Sequence, residues 1–184
     1  MTLLGRILTN RRAGETHLAW NRPNLQGPEP LVLTSRQFGD GEAMPLENCA
    51  KNIGGDDRSP HLAWTPPPPG TAQLLLVVED IDVPLSKPAV HCLALIDPAA
   101  GHLDPGALDA RRPAAGVRVL RSTIGRGYHG PAPIKGHGPH RYVFQLFALS
   151  EPLDGPSAAR PRAALAAITA PVLGRARLTG VFER

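Results

Sequence analysis

Twenty-one prolines and nineteen glycines in 184 residues restrict this chain more than any other feature. Proline lacks the N–H that helix interiors and central strands need, and its ring clashes with the preceding helical turn. So many of them exclude a bundle of long helices and predict short elements joined by structured loops. The apolar runs left between them are strand-sized. Residues 73–79 (QLLLVVE) and 91–96 (HCLALI) suit strands buried on both faces, although a buried helix segment has the same pattern. Residues 141–149 (RYVFQLFAL) add the strand formers Tyr, Val and Phe. Shorter strands are expected at 31–35, 117–120 and 178–182, with a loop-rich stretch containing GGDD at 39–60. One helix is expected between Pro161 and Pro171, with Pro161 in its first turn and Leu165, Ile168 and Val172 on one stripe. Residues 31–184 therefore read as one mainly β domain, α+β by content. Residues 1–30, interrupted by Arg11, Arg12, Pro23, Pro28 and Pro30, read as an N-terminal extension or an edge arm.

The two cysteines, Cys49 and Cys92, are too few and too far apart for a disulfide framework, which suggests a reducing compartment. No apolar run approaches the roughly 18 residues of a membrane span, and no secretory h-region is visible. A soluble, cytoplasmic protein with no transmembrane segment is the expectation. The net charge of +4 favours anionic partners. Nucleic acid is not expected among them: the basic residues are scattered, and 4% aromatic content is too little for a base-stacking platform.

Polar residues gather where the apolar runs begin and end. Asp80 and Asp82 follow the first run, His91 opens the second, and GYHGPAPIKGHGPHRY (127–142) leads into the third. The glycines and prolines of that loop leave backbone amides open to form an anion-binding nest. On a strand, His140 and Tyr142 share a face while Arg141 points away, and imidazole and phenol can both donate to a phosphate oxygen. Taken singly, Asp80 and Asp82 also read as a solvated turn, and His91 as a hydrogen-bonded core histidine. The His137-x-x-His140 spacing invites a metal, but zinc needs three or four ligands. His137, ahead of a Gly-Pro pair, is expected to face solvent, so no metal and no cofactor is assigned. Cys92 should face away from His91 as a small buried hydrophobe. Lys135 reads as a solvated loop lysine, and Ser59 and Trp64 as structural.

In these segments the chain resembles the phosphatidylethanolamine-binding protein family, in its bacterial Raf-kinase-inhibitor-like branch. The resemblance rests on D-x-D-x-P at Asp80, Asp82 and Pro84, on the strand-opening His91, and on the Gly-Tyr-x-Gly-Pro-x-Pro loop ending in His140-Arg141-Tyr142. Ser59-Pro60-His61-Leu62-Ala63-Trp64 and the final LTGVFER extend it over about residues 31–184. It implies a large antiparallel sheet packed with a smaller one, a few short peripheral helices including one near the C-terminus, and a small surface pocket. Carried over, the ligand-binding residues are Asp80, Asp82, His91, Gly130, Pro131, His140 and Tyr142. His91, His140, Tyr142 and the loop amides would face an anion. Asp80 would orient an imidazole or receive an ammonium group, and Asp82 would hold the loop. Ala89, Val90, Ile96, Ala132 and Ile134 depart from the family's pattern and make the rim less aromatic.

The function expected is a binding protein rather than an enzyme. Its ligand would be phosphate, a carboxylate, or a phosphoethanolamine-type phospholipid head group, and it could modulate a kinase or another enzyme. Two rivals stand beside it: a hydrolase using Asp80, His91, His140 and Tyr142 as an acid–base set, and an inhibitor of a protease or kinase acting through a protruding loop. The absence of a GxSxG elbow weighs against the first. The resemblance also suggests a homodimer.

Overall fold

Three apolar runs lie side by side at the centre of the molecule, in a computed structural model that describes residues 7–8, 10–153 and 160–184. Its named strands are β1 (Leu33–Thr34), β2 (Glu42–Ala43), β3 (Leu62–Trp64), β4 (Gln73–Asp80), β5 (Ala89–Ile96), β6 (His102–Leu103), β7 (Val117–Val119), β8 (His140–Leu149) and β9 (Val172–Phe182). A six-stranded sheet has the order β2-β9-β8-β4-β5-β7, and a three-stranded sheet the order β1-β3-β6. All pairings are antiparallel except the edge pair β2–β9. This is the two-sheet fold expected, with few and short helices.

Side chains alternate across a strand, so the continuous apolar runs bury both faces. Leu74, Leu76 and Val78 of β4 join Tyr142, Phe144 and Leu146 of β8 between the two sheets, against Leu33, Leu62 and Trp64. Leu75 and Val77 point the other way, with Phe147, Leu149, Leu93 and Leu95. This second face is covered by the N-terminal segment and the C-terminal helix. The stretch expected to be an extension or an edge arm covers a sheet face instead: Leu18, Ala19, Trp20 and Leu25 are buried there, on two short 3₁₀ turns, Ala19–Asn21 and Pro23–Leu25.

Several boundaries differ from expectation: β1 covers only Leu33–Thr34, β5 opens at Ala89 and not at His91, and two larger differences lie toward the C-terminus. The helix stops at Ala166. Asn24 crosses over to donate to the carbonyls of Leu165 and Ile168, both at 2.9 Å, so Ile168 is buried without being helical. β9 starts six residues earlier than position 178, through a stretch that looks polar. Arg175 fits there because its guanidinium lies 4.0 Å from the Trp20 ring centroid and pairs with Glu29.

A register shift between Val78 and Glu79 interrupts the β4–β5 ladder. Cys92 pairs with Val78 and Val90 with Glu79, which leaves His91 as the extra residue of a bulge. Cys92 packs between the sheets with Tyr142, and the His91 ring meets Tyr142 edge-on from the same side. The strict alternation expected of His91 and Cys92 is thus broken, yet Cys92 is the buried, inert thiol foreseen. Burial pushes it up to about 12.

Glu79 is fully buried on the covered face. It accepts from the Ala19 N–H at 2.7 Å, from Gln145 Nε2 at 2.9 Å and from Arg162 at 2.7 Å. Gln145 Oε1 in turn accepts the Trp20 N–H at 2.7 Å. Burial pushes the Glu79 carboxyl up, and Arg162 opposes that first among its partners. Arg162→Met would leave this carboxylate uncompensated and is expected to cost about 3 kcal/mol, while adding Glu79→Gln should recover part of the loss. Denaturant midpoints of the single and double variants check this.

Candidate ligand-binding site

The end of β4, the bulge of β5 and the start of β8 meet beneath the glycine–proline loop. Asp80 lies opposite Tyr142 in the ladder, and the bulge turns His91 toward both. They form the floor of an open cavity of about 680 Å³. Asp80, His91, Gly130, His140 and Tyr142 line it; Asp82 and Pro131 do not. Asp82 is buried beside it. Its carboxylate accepts the Arg141 backbone N–H and Nε, both on Oδ2, and Arg141 and Arg12 guanidinium nitrogens on Oδ1, all within 2.8–2.9 Å. Burial alone would raise this carboxyl, and the hydrogen bonds from Arg141 and Arg12 outweigh it, holding it at about 2. Pro131 is buried, and its carbonyl accepts the Ala50 N–H at 3.0 Å. Both residues shape the wall from behind.

The floor is a hydrogen-bonded array. Asp80 Oδ1 accepts the Asp82 N–H and Oδ2 meets His140 Nδ1, each at 2.8 Å. His140 Nε2 meets His137 Nδ1 at 2.7 Å, and His137 Nε2 reaches the Leu8 carbonyl at 2.7 Å. His137, expected in solvent, is fully buried, with the carbonyls of Leu8 and Arg11 against its Nε2. Both nitrogens of His140 are therefore engaged, and it cannot face an anion as expected. The loop amide of Gly130 is also taken: it donates to Asp57 Oδ1 at 2.8 Å, and Lys51 N–H donates to Asp57 Oδ2 at 3.2 Å. Asp57 holds this bridge with a positive φ of 51°. A Cβ on Gly130 would come within 2.4 Å of the Asn48 carbonyl oxygen, so this glycine permits a close approach of the chain's own backbone.

The Tyr142 hydroxyl and His91 Nε2 are open to a ligand on the floor, and His129, which also lines the cavity, has a buried Nε2 without a partner. The Tyr142 hydroxyl is buried and makes no hydrogen bond of good geometry, although the Asp80 carboxylate stands beside it. Burial, then the Asp80 charge, pushes the phenol up, so it stays a donor. His91 Nδ1 lies 2.8 Å from the His129 carbonyl and donates to it, which leaves Nε2 on the cavity side. Burial lowers His91, and Asp80 only partly opposes that, so Nε2 is an acceptor. Lys51 stands at the wall, and Val83, Pro84, Leu85, Ile124, Pro133 and Ile134 make an apolar collar.

A two-sheet β domain with an Asp, two His and a Tyr at one end of its main sheet defines a narrow class. The sequence profile described as Phosphatidylethanolamine-binding protein matches residues 34–183, and the chain belongs to that family. The Escherichia coli protein YbcL, described as a member of the mammalian family, superposes with a TM-score of 0.75 at 26% identity, over 84% of this chain and 98% of that one. A carboxypeptidase Y inhibitor, solved in complex with its cognate proteinase, has a TM-score of 0.53 at 17% identity over 84% of each chain and shares the fold alone. The Mycobacterium tuberculosis protein named "Putative lipoprotein LppC" is 37% identical over 156 residues, 84% of this chain and 73% of that protein.

That last relative overturns the expectation of a cytoplasmic protein. Covalent lipid can hold a protein at a membrane without any spanning helix, so the make-up of the folded domain says nothing about compartment. Among the described residues, no helix is long and apolar enough to cross a membrane.

Tyr142→Phe deletes a buried donor that makes no hydrogen bond of good geometry, and is expected to raise stability by about 1 kcal/mol. A downward shift of the denaturant midpoint would contradict the assignment of that hydroxyl as unsatisfied.

Proposed function

We propose that this family member is a binding protein whose pocket takes a small acid group: phosphate, a carboxylate, or a phosphoethanolamine-type head group. The buried Tyr142 hydroxyl, which makes no hydrogen bond of good geometry, carries the reading, since such a group costs stability unless a ligand oxygen accepts from it. His91 Nε2 supplies the second contact. A ligand oxygen can meet it by bringing its own hydrogen or by inducing His91 to take up a proton. The apolar collar, with Leu85 and Ile124 about half exposed, favours an acid attached to an apolar body and offers a surface to a protein partner such as a kinase. Binding rather than hydrolysis is favoured because His140, the presumptive second acid–base group, has both nitrogens engaged.

Anion binding stabilises the imidazolium form of His91, whose ordinary value is lowered by burial, so affinity should rise as pH falls. Calorimetric titration of phosphate, acetate and O-phosphoethanolamine at pH 6 and pH 8 tests this. Acetate keeps its charge across that range and isolates the protein's own proton uptake. Expected are saturable binding, tighter at pH 6, and at least a tenfold loss in Tyr142→Phe. Absence of saturable binding of all three at both pH values would sink the proposal.

A further inference from the structure

His137 does not line the cavity, yet it decides how many protons the cavity floor holds. The Leu8 carbonyl can only accept, so His137 Nε2, 2.7 Å away, carries a hydrogen. The Arg11 carbonyl at 3.2 Å reinforces that assignment. At the other end of the array the Asp80 carboxylate can only accept, so His140 Nδ1 carries a hydrogen as well. A third hydrogen must lie between the rings, where His137 Nδ1 and His140 Nε2 are 2.7 Å apart. Two neutral imidazoles hold one hydrogen each, so the pair holds one more than neutrality allows.

We infer that His137 is a positioning residue that keeps His140 doubly protonated against Asp80. Placed on His140, the extra charge adjoins the Asp80 carboxylate; placed on His137, it would sit near the Arg12 guanidinium, which donates to the His137 carbonyl at 3.4 Å. Transfer of the outer hydrogen to Asp80 is opposed because a carboxylic acid is intrinsically stronger than imidazolium by about 2.6 units. The Asp82 N–H donates into Asp80 Oδ1, so both oxygens of Asp80 serve as acceptors. The other titratable and charged neighbours are Tyr142, which stacks on His140, neutral His91, and Asp82, which is neutralised by Arg141 and Arg12.

The consequence for binding rests on the acid-group reading above. With His140 cationic, the Asp80–His140 floor has no net charge, and an incoming anion is not repelled. Without the acceptor nitrogen of His137, His140 keeps only its hydrogen toward Asp80, and the anion faces an uncompensated carboxylate.

Long-range proton–nitrogen NMR of the imidazoles at neutral pH, with phosphate titration, tests the inference in wild type, His137→Phe and His137→Gln. Expected in wild type are two protonated nitrogens on His140 and only Nε2 protonated on His137. In His137→Phe, His140 should show a single protonated nitrogen and phosphate affinity should fall tenfold or more. Glutamine can accept from His140 and donate to Leu8, and should stay within about threefold of wild type by supplying the same pair of hydrogen bonds. A singly protonated His140 in wild type overturns the proton count, with no variant needed. Unchanged affinity in folded His137→Phe overturns the role in binding. Failure of wild type to bind phosphate removes that role together with the acid-group reading, while the nitrogen pattern still decides the proton count by itself.

Discussion

Glu79 and Asp80 are adjacent carboxylates at the end of a strand buried on both faces, and most of the surrounding polar structure answers to them. Alternation sends one to each side of the sheet. A carboxylate cannot stay in an apolar layer without partners, so each gathers a set of its own. Glu79 draws in the Ala19 amide, Gln145 and Arg162, which fastens the N-terminal segment and the C-terminal helix to one face. Asp80 draws in the Asp82 amide and His140 on the other, which fixes the floor of the pocket. The scaffold and the site are thus organised by neighbouring residues of β4.

Much of the fold was legible because double burial writes continuous apolar runs, which the many prolines and glycines hold to strand length. Runs such as QLLLVVE cannot sit on a half-exposed sheet, and they became β4, β5 and β8. The first half of β9 was hidden because Arg175 and Arg177 look like surface residues; the stretch pairs with β8, and the Trp20 ring, more than 150 residues away in sequence, receives both guanidinium groups. The covering role of residues 18–25 was hidden for a similar reason. Their anchors are backbone amides given to Glu79 and Gln145, and amides have no sequence signature.

The site was legible in its members more than in its wiring. Motif spacing brought Asp80, His91, His140 and Tyr142 together, and the structure places all four on one cavity. It did not separate ring nitrogens already engaged from those that are open. His137 was misplaced because a Gly-Pro pair suggests exposure, whereas Leu8, Arg11 and Arg12, more than 120 residues earlier, meet it. Asp57 went unnoticed within GGDD, since nothing local ties it to the amide of Gly130. Side chains that meet distant backbone leave the weakest trace in a single sequence.

The bulge in β5 also bears on how this chain can drift. One surplus residue between Val90 and Cys92 lets a core position and a pocket position be neighbours on the same side of the sheet. Shortening the strand by that residue would let the β4–β5 ladder run without interruption and leave the hydrophobic layers in place. The pocket histidine would be gone from the cavity. Length changes at this point therefore separate foldedness from recognition, so that a homologue one residue shorter here could keep the architecture and have lost the trade.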